Sequence, residues 1–268
     1  MKYLDCVRLF TESGIDNPRH DAAMLFEHFC KIKRAELLTR NFDSESTELK
    51  DAVERRCKRE PLQYIIGEVC FYRESYTVTP DCLIPRSDTE VLVELATKKL
   101  PRGARFLDLC TGSGCVAVST LKNSDSTTAV ATDISESALK IAKKNAEKNG
   151  VIDRIEFLQN DALREAVLGD FFAILSNPPY VTEEAYNNLA PEIYFEPREA
   201  LVAENGGLIF YERILELYKD KIHTDGFFAF EIGYDQGEAL ISLGKKFGFF
   251  TEIIKDYSGN DRVAYLKR

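Results

Sequence analysis

The chain has 268 residues, 44% of them apolar, enough for one large domain with a small one beside it. Its formal net charge of -9 argues against non-specific binding to nucleic acid, which depends on neutralising phosphates. No apolar run reaches the ~18 residues that mark a membrane span, the first residues carry no signal-like stretch, and the cysteines are scattered without a Cys-x-x-Cys pair, so a reduced, cytoplasmic protein is expected.

The first third reads as helical. Residues 2–13 place Leu4, Val7 and Phe10 at helical spacing, with Gly14 as a stop. Residues 19–40 repeat the pattern with Ala22, Leu25, Phe26, Phe29 and Ile32. Residues 45–59 put Leu49, Ala52, Val53 and Cys57 on one face before Pro61. The opposite faces carry Lys31, Lys33, Arg34 and Arg40, then Arg55, Arg56, Lys58 and Arg59. A solvated face is the favoured reading of these charges, and a docking surface for a substrate is the alternative. A small helical bundle over 1–68 is expected.

The helical pattern breaks at 61–67. Phe71-Tyr72 and Tyr76-Thr77-Val78 read as short strands, a hairpin linker over 69–82. Ser87 and Glu90 have the spacing of a capping box for a helix over 88–99. Arg86, just ahead of it, faces either an active site or an ion pair.

Strands and helices then alternate. Strands are expected near 104–110, 128–133, 154–160, 171–176 and 226–233, with helices near 113–122, 136–149, 182–189 and 207–222. This is the βαβ pattern of a parallel sheet. Ser135 reads as the N-cap of the helix that Gly150 closes. A helix at 236–247 and two strands, 249–256 and 262–267, end the chain as an edge hairpin.

Three features fall at the carboxyl ends of these strands, where open α/β sheets bind ligands. The first strand runs into Cys110-Thr111-Gly112-Ser113-Gly114, a turn whose glycines admit a close ligand approach and whose following helix offers oriented N–H groups. The second ends at Asp133, placed to bind ribose hydroxyls. The fourth ends at Asn177-Pro178-Pro179-Tyr180. There Asn177 offers an amide oxygen, Pro178 a carbonyl with no competing N–H, and Tyr180 a flat face. Two acceptors and an aromatic face suit a planar NH2 group, whose delocalised lone pair needs orientation before it attacks an electrophile. The same surroundings suit a cationic methyl donor. The three histidines, His20, His28 and His223, lie outside every motif, so neither histidine acid–base catalysis nor a metal site is expected.

Glycine turn, ribose acid and Asn-Pro-Pro-Tyr in this order resemble the Rossmann-like methyltransferases that use S-adenosylmethionine and methylate a planar NH2. More specifically, PLQYIIG, LIPRSDTEVLVE, FLDLCTGSGCVAV, TDISESALKIAKKNA, SNPPYV, FEPREAL, GLIFYERIL, EIGYDQGEA and SGNDRVAYLK resemble the bacterial glutamine N5-methyltransferases of class I peptide chain release factors. The resemblance runs from about residue 61 to the end, and the helical first third fits the family's amino-terminal domain. It implies an α/β fold, a seven-stranded Rossmann-like class I methyltransferase sheet over 83–268, behind a helical substrate-docking domain. It implies methyl transfer from S-adenosylmethionine, leaving S-adenosylhomocysteine, to the glutamine of a Gly-Gly-Gln tip. By position, Cys110, Thr111, Gly112, Ser113 and Gly114 would line the methionine end of the cofactor and Asp133 its ribose. Asp161 would lie near adenine, Asn177 would also touch the cofactor, and Asn177, Pro178, Pro179 and Tyr180 would hold the glutamine amide, with Asn177, Pro178 and Tyr180 as catalytic residues. The implied partner is a class I release factor, with no direct nucleic acid and no membrane.

Two positions depart from the family pattern. Cys110 stands where the turn usually has its first glycine, so its side chain must point away from the cofactor or the turn must shift. Ala162 stands where some members carry an aromatic residue. Rival readings are a glutamine methyltransferase of a ribosomal protein, an adenine-N6 methyltransferase, and a non-catalytic cofactor-binding module.

Overall fold

The computed structural model describes residues 1–39 and 42–268. They divide into two compact units: residues 1–68 with 190–195, and residues 69–189 with 196–268.

The first unit contains α1 (Tyr3–Glu12), α2 (Pro18–Cys30), α3 (Arg34–Thr39), α4 (Thr47–Cys57) and α5 (Leu62–Ile66). Its core gathers Phe10, Leu25, Phe26, Leu49 and Val53. On α1 the buried face is Tyr3, Cys6 and Phe10, while Leu4 is exposed, so the inward stripe is offset from the expected one. The single helix expected over 19–40 is interrupted. Lys31 adopts a left-handed φ of 57° and closes α2, and α3 restarts with the Arg34 N–H donating to Glu27 Oε1 at 2.9 Å. Pro18 opens α2, where its missing N–H costs nothing. Ser46 caps α4 by accepting from the Leu49 N–H at 3.1 Å.

Much of the expected basic face is engaged inside this unit. Arg56 is buried and donates to Asp21 at 2.8 Å and to Glu192 at 3.1 Å. Arg59 pairs with the other oxygen of Glu192 at 2.8 Å and donates to the Gly14 carbonyl. Arg55 pairs with Glu60 and Lys58 with Glu54. Burial alone would raise the Glu192 pKa, but its own backbone N–H, Arg56 and Arg59 hold it below the ordinary carboxylate value. Lys31, Lys33 and Arg34 lie outside these pairs and are exposed or partly so, while Arg40 lies outside the described residues.

The second unit begins within the first strand of a hairpin, β1 (Glu68–Phe71) and β2 (Glu74–Thr77). Rather than standing apart as a linker, residues 69–82 pack into this unit. Phe71 and Tyr76 meet edge to face at 5.8 Å in its core, and Glu74 accepts from Ser119 at 2.9 Å and Asn123 at 3.2 Å. A 3-10 turn, Ser87–Thr89, leads into α6 (Glu90–Lys99). The expected Ser87–Glu90 capping box does not form, because the Glu90 carboxylate accepts the Tyr72 N–H at 2.9 Å instead.

The remaining elements are β3 (Arg105–Leu109), α7 (Cys115–Lys122), β4 (Thr128–Asp133), α8 (Glu136–Lys148), β5 (Ile155–Gln159), β6 (Phe171–Ser176), α9 (Glu183–Tyr186), α10 (Ile209–Tyr218), β7 (Ile222–Glu231), α11 (Gly237–Lys246), β8 (Phe250–Lys255) and β9 (Asp261–Lys267). Ser135 caps α8 as expected, accepting from the Ala138 N–H at 3.2 Å. The helix expected over 182–189 is a single turn, α9. The strands form one seven-stranded sheet in the order β5-β4-β3-β6-β7-β9-β8, parallel except for β9, which runs antiparallel to both neighbours. Its strands are apolar on both faces because two cores cover it, one containing Phe106, Val118 and Leu175, the other Leu107, Ile174 and Phe228.

Strand order reverses between β3 and β6, since the chain adds β4 and β5 on one side before crossing to the other. A crevice opens at such a switch point, outside the carboxyl ends of the strands. The parallel register pairs Leu109 with Ser176, so the residues that come next, Cys110 and Asn177, leave the sheet side by side. Ser176 Oγ donates to the Leu109 carbonyl at 2.7 Å and locks that register.

Candidate active site

A cavity of about 440 Å³ sits at this switch point, in the size range of small-molecule and cofactor sites. Cys110, Thr111, Gly112, Ser113, Asp133, Asp161 and Asn177 all line it, as does Pro179. Pro178, Tyr180 and Gly114 are not on its wall. Gly114 has φ +81°, and a Cβ there would come within 3.0 Å of Ala142, so it serves the contact between α7 and α8.

The turn after β3 is built on buried polar groups. Asp108 Oδ2 accepts from the Thr111 hydroxyl at 2.6 Å and the Ala117 N–H at 3.2 Å, while Oδ1 is buried without a partner. Burial raises the Asp108 pKa to about 7, against the pull of those two donors. Asn145 of α8 donates to the Ser113 carbonyl at 2.9 Å and bonds Thr77 through both its backbone groups, tying the turn to β2. Asp133 spans the two motifs: Oδ2 accepts the Gly112 N–H at 2.8 Å and Oδ1 the Ser135 N–H at 2.9 Å. Burial raises its pKa although these N–H groups favour the charge.

Cys110 keeps the left-handed conformation that a glycine would take there, with φ 58°. The turn thus holds a side chain in a region that glycine favours. A left-handed non-glycine residue costs ~1–2 kcal/mol. Cys110→Gly is expected to relieve this strain and, despite a more flexible unfolded chain, raise stability by up to about 1 kcal/mol. Chemical denaturation checks it; a lower midpoint would show that thiol packing outweighs the strain.

The residues present fit S-adenosylmethionine. Asp133 offers remaining carboxylate lone pairs for a ribose diol. The adjacent Ile134 is 57% exposed on the cavity wall, an apolar face such as a planar base needs. Asp161 already accepts the Leu163 N–H at 2.9 Å and pairs with Arg164 at 3.0 Å. Ala162 is buried at the same wall.

Asn177 is half-buried and its Nδ2 donates to Thr89 Oγ1 at 3.3 Å. The Tyr180 hydroxyl turns inward and donates to Glu231 Oε1 at 3.3 Å. Burial, then the Glu231 charge, pushes its pKa above the ordinary tyrosine range. Arg86 resolves both of its expected roles at once: it pairs with the buried Glu196, which also accepts the Ile84 N–H at 3.0 Å, and it lines the cavity. Thr89, Glu231, Asp108 and Ile134 fall within the matching segments, but the sequence reading assigns none of them a role. An acid closing an apolar parallel strand was the available signal for Glu231; Thr89 offered none, since its partner lies 88 positions away.

The sheet order and the switch-point cavity define a class I methyltransferase. Residues 87–224 match the family model described as methyltransferase small domain, and residues 5–67 match the PrmC N-terminal domain. The release factor glutamine methyltransferase of Thermodesulfovibrio yellowstonii is 39% identical, over 100% of this chain and 99% of its own. That of Geobacter sulfurreducens is 36% identical, over 98% and 94%. Among solved structures, the catalytic domain of hMettl16 in complex with the MAT2A 3'UTR hairpin 6 has a TM-score of 0.57 at 15% identity, covering 85% of this chain and 84% of its own, which shows the shared fold. The chain belongs to the release factor glutamine methyltransferase family and is an S-adenosylmethionine-dependent methyltransferase. Among the described residues, no helix is long and apolar enough to cross a membrane.

Proposed function

We propose that the protein methylates the side-chain amide nitrogen of the glutamine in the Gly-Gly-Gln motif of class I release factors. The observation that carries this reading is the placement of Asn177 at the switch point, on the cavity wall beside the cofactor turn, with its NH2 directed to Thr89 and its oxygen left for a ligand. The 110–113 turn, Asp133 and the wall formed by Ile134 and Asp161 would hold S-adenosylmethionine, which would supply an electrophilic methyl on a sulfonium.

The chain's own residues then act by orientation. Asn177 Oδ1 and the Pro178 carbonyl accept the two N–H bonds of the glutamine amide and turn the nitrogen lone pair toward the methyl. With the lone pair so aimed, attack on the methyl would release the cofactor's thioether, and the nitrogen would give up one of its protons to solvent. The cavity wall, on which Asn177 lies, strengthens its acceptor contact. Arg86, fixed by Glu196, keeps a positive group at the cavity. The first unit docks the body of the release factor, and does so with surfaces other than Arg55, Arg56 and Arg59, which are engaged within it.

The test is incubation with methyl-labelled S-adenosylmethionine and purified release factor, followed by peptide mass spectrometry. Label on the Gly-Gly-Gln glutamine is expected. Label that appears only on a ribosomal protein or on adenine sinks this reading.

A further inference from the structure

The Asn-Pro-Pro-Tyr motif is a stiff rod. Proline rings fix φ at residues 178 and 179, and a following proline confines Asn177 and Pro178 to extended backbone. The aim of the Pro178 carbonyl is therefore set by how the two ends of the rod are held. At the near end Ser176 lies in β6, paired with Leu109 and bonded to its carbonyl at 2.7 Å. The far end is the peptide plane between Tyr180 and Val181. Its N–H donates to the Leu201 carbonyl at 2.9 Å, and its oxygen, that of Tyr180, accepts from Gln236 Nε2 at 3.3 Å.

Gln236 is 7% exposed and uses every donor and acceptor of its side chain. Oε1 accepts the Gly233 N–H at 2.9 Å and the Tyr211 hydroxyl at 3.3 Å. Nε2 donates to the Tyr180 carbonyl and to the Gly206 carbonyl at 3.4 Å. A backbone N–H on one side and two carbonyls on the other admit only one orientation of the amide. Three segments thus meet at one side chain: the end of the motif, the 3-10 turn Asn205–Gly207 ahead of α10, and the loop that follows β7. The joint has little slack. A Cβ on Gly207 would lie 2.1 Å from the Tyr180 oxygen and 2.6 Å from Gln236 Nε2. Gln236 is not on the cavity wall, so contact with the cofactor does not account for this arrangement.

We propose that Gln236 is a positioning residue for methyl transfer. By clamping the Tyr180–Val181 peptide plane, it holds the rod so that the Pro178 carbonyl meets the reacting amide. The catalytic consequence rests on the proposed amide substrate, but the clamp itself exists without substrate.

Gln236→Met keeps the length of the side chain and removes its donors and acceptors. Exchange of the Val181 amide, read in the full chain without substrate, should then speed at least ~10-fold, because the other half of its peptide plane is released. Single-turnover methyl transfer at saturating release factor should fall about 100-fold, the loss that a misplacement of ~1 Å causes. The KM for release factor and the calorimetric affinity for S-adenosylmethionine should stay within a few-fold of wild type, which separates positioning from a general loss of structure. Gly207→Ala presses on the same Tyr180 oxygen and should give the same split; it decides alone where Gln236→Met fails to fold. Val181 exchange like that of wild type overturns the clamp. Fast exchange with a methyl-transfer rate within a few-fold of wild type overturns the positioning role, as do equal losses of rate and cofactor affinity. A wild-type enzyme that leaves release factor unmethylated sinks the substrate reading instead, and Val181 exchange then judges the clamp by itself.

Discussion

Asn177→Ala is expected to slow single-turnover methyl transfer by about two to three orders of magnitude, the range seen when one oriented polar group at a reacting centre is removed. On the proposed reading the amide contributes through geometry, because the glutamine nitrogen is a poor nucleophile until its two N–H bonds are held and its lone pair aimed. Alanine removes one of the two acceptors and leaves the nitrogen free to rotate. The fold should survive. Asn177 is half-buried, and its one side-chain bond, 3.3 Å to Thr89, is worth ~1 kcal/mol. S-adenosylmethionine affinity should change by no more than a few-fold, since the 110–113 turn, Asp133, Ile134 and Asp161 also line the cavity. A mutant rate within a few-fold of wild type would mean that another group orients the nucleophile.

The sheet and the two motifs at its switch point are legible in the sequence because they are local patterns. A buried strand is a short apolar run, and a ligand turn must interrupt it with glycine or proline at its carboxyl end. Cys110 shows how far this goes: it takes a left-handed φ at a turn position where the sequence pattern expects glycine. What stays hidden is whatever depends on distant partners. Glu90 has the right spacing for a capping box, yet the Tyr72 N–H captures it. Lys31 ends a helix in a conformation that lysine does not favour, so no residue preference marks the break. Thr89 and Glu231 reach Asn177 and Tyr180 only when β6 and β7 lie side by side and the turn before α6 packs against them.

The basic face of the first unit is equally illegible from charge alone, and it carries the second large effect. Arg56 is 7% exposed and serves two carboxylates, Asp21 at 2.8 Å and Glu192 at 3.1 Å, and donates to the Glu60 carbonyl at 3.1 Å. Removing one partner of a buried ion pair leaves the other charge desolvated and uncompensated, at a cost of ~3–5 kcal/mol. Glu192 retains Arg59 at 2.8 Å, so the loss falls mainly on Asp21, itself only 7% exposed on α2. Arg56→Ala is therefore expected to loosen the contact between α2 and α4 and speed amide exchange there by two orders of magnitude or more, as ~3 kcal/mol implies. Replacing both partners, with Arg56→Met and Asp21→Leu together, should recover much of the loss, because no buried charge is then left unpaired. Calorimetric S-adenosylmethionine affinity is the internal control and should be unchanged in either variant, since the proposed cofactor cavity is lined by residues of the second unit. Exchange in α2 and α4 that matches wild type in Arg56→Ala would show that water reaches Asp21 and that the pair contributes little. A double variant as unstable as the single one would show that the arginine stabilises through its packed methylenes rather than its charge.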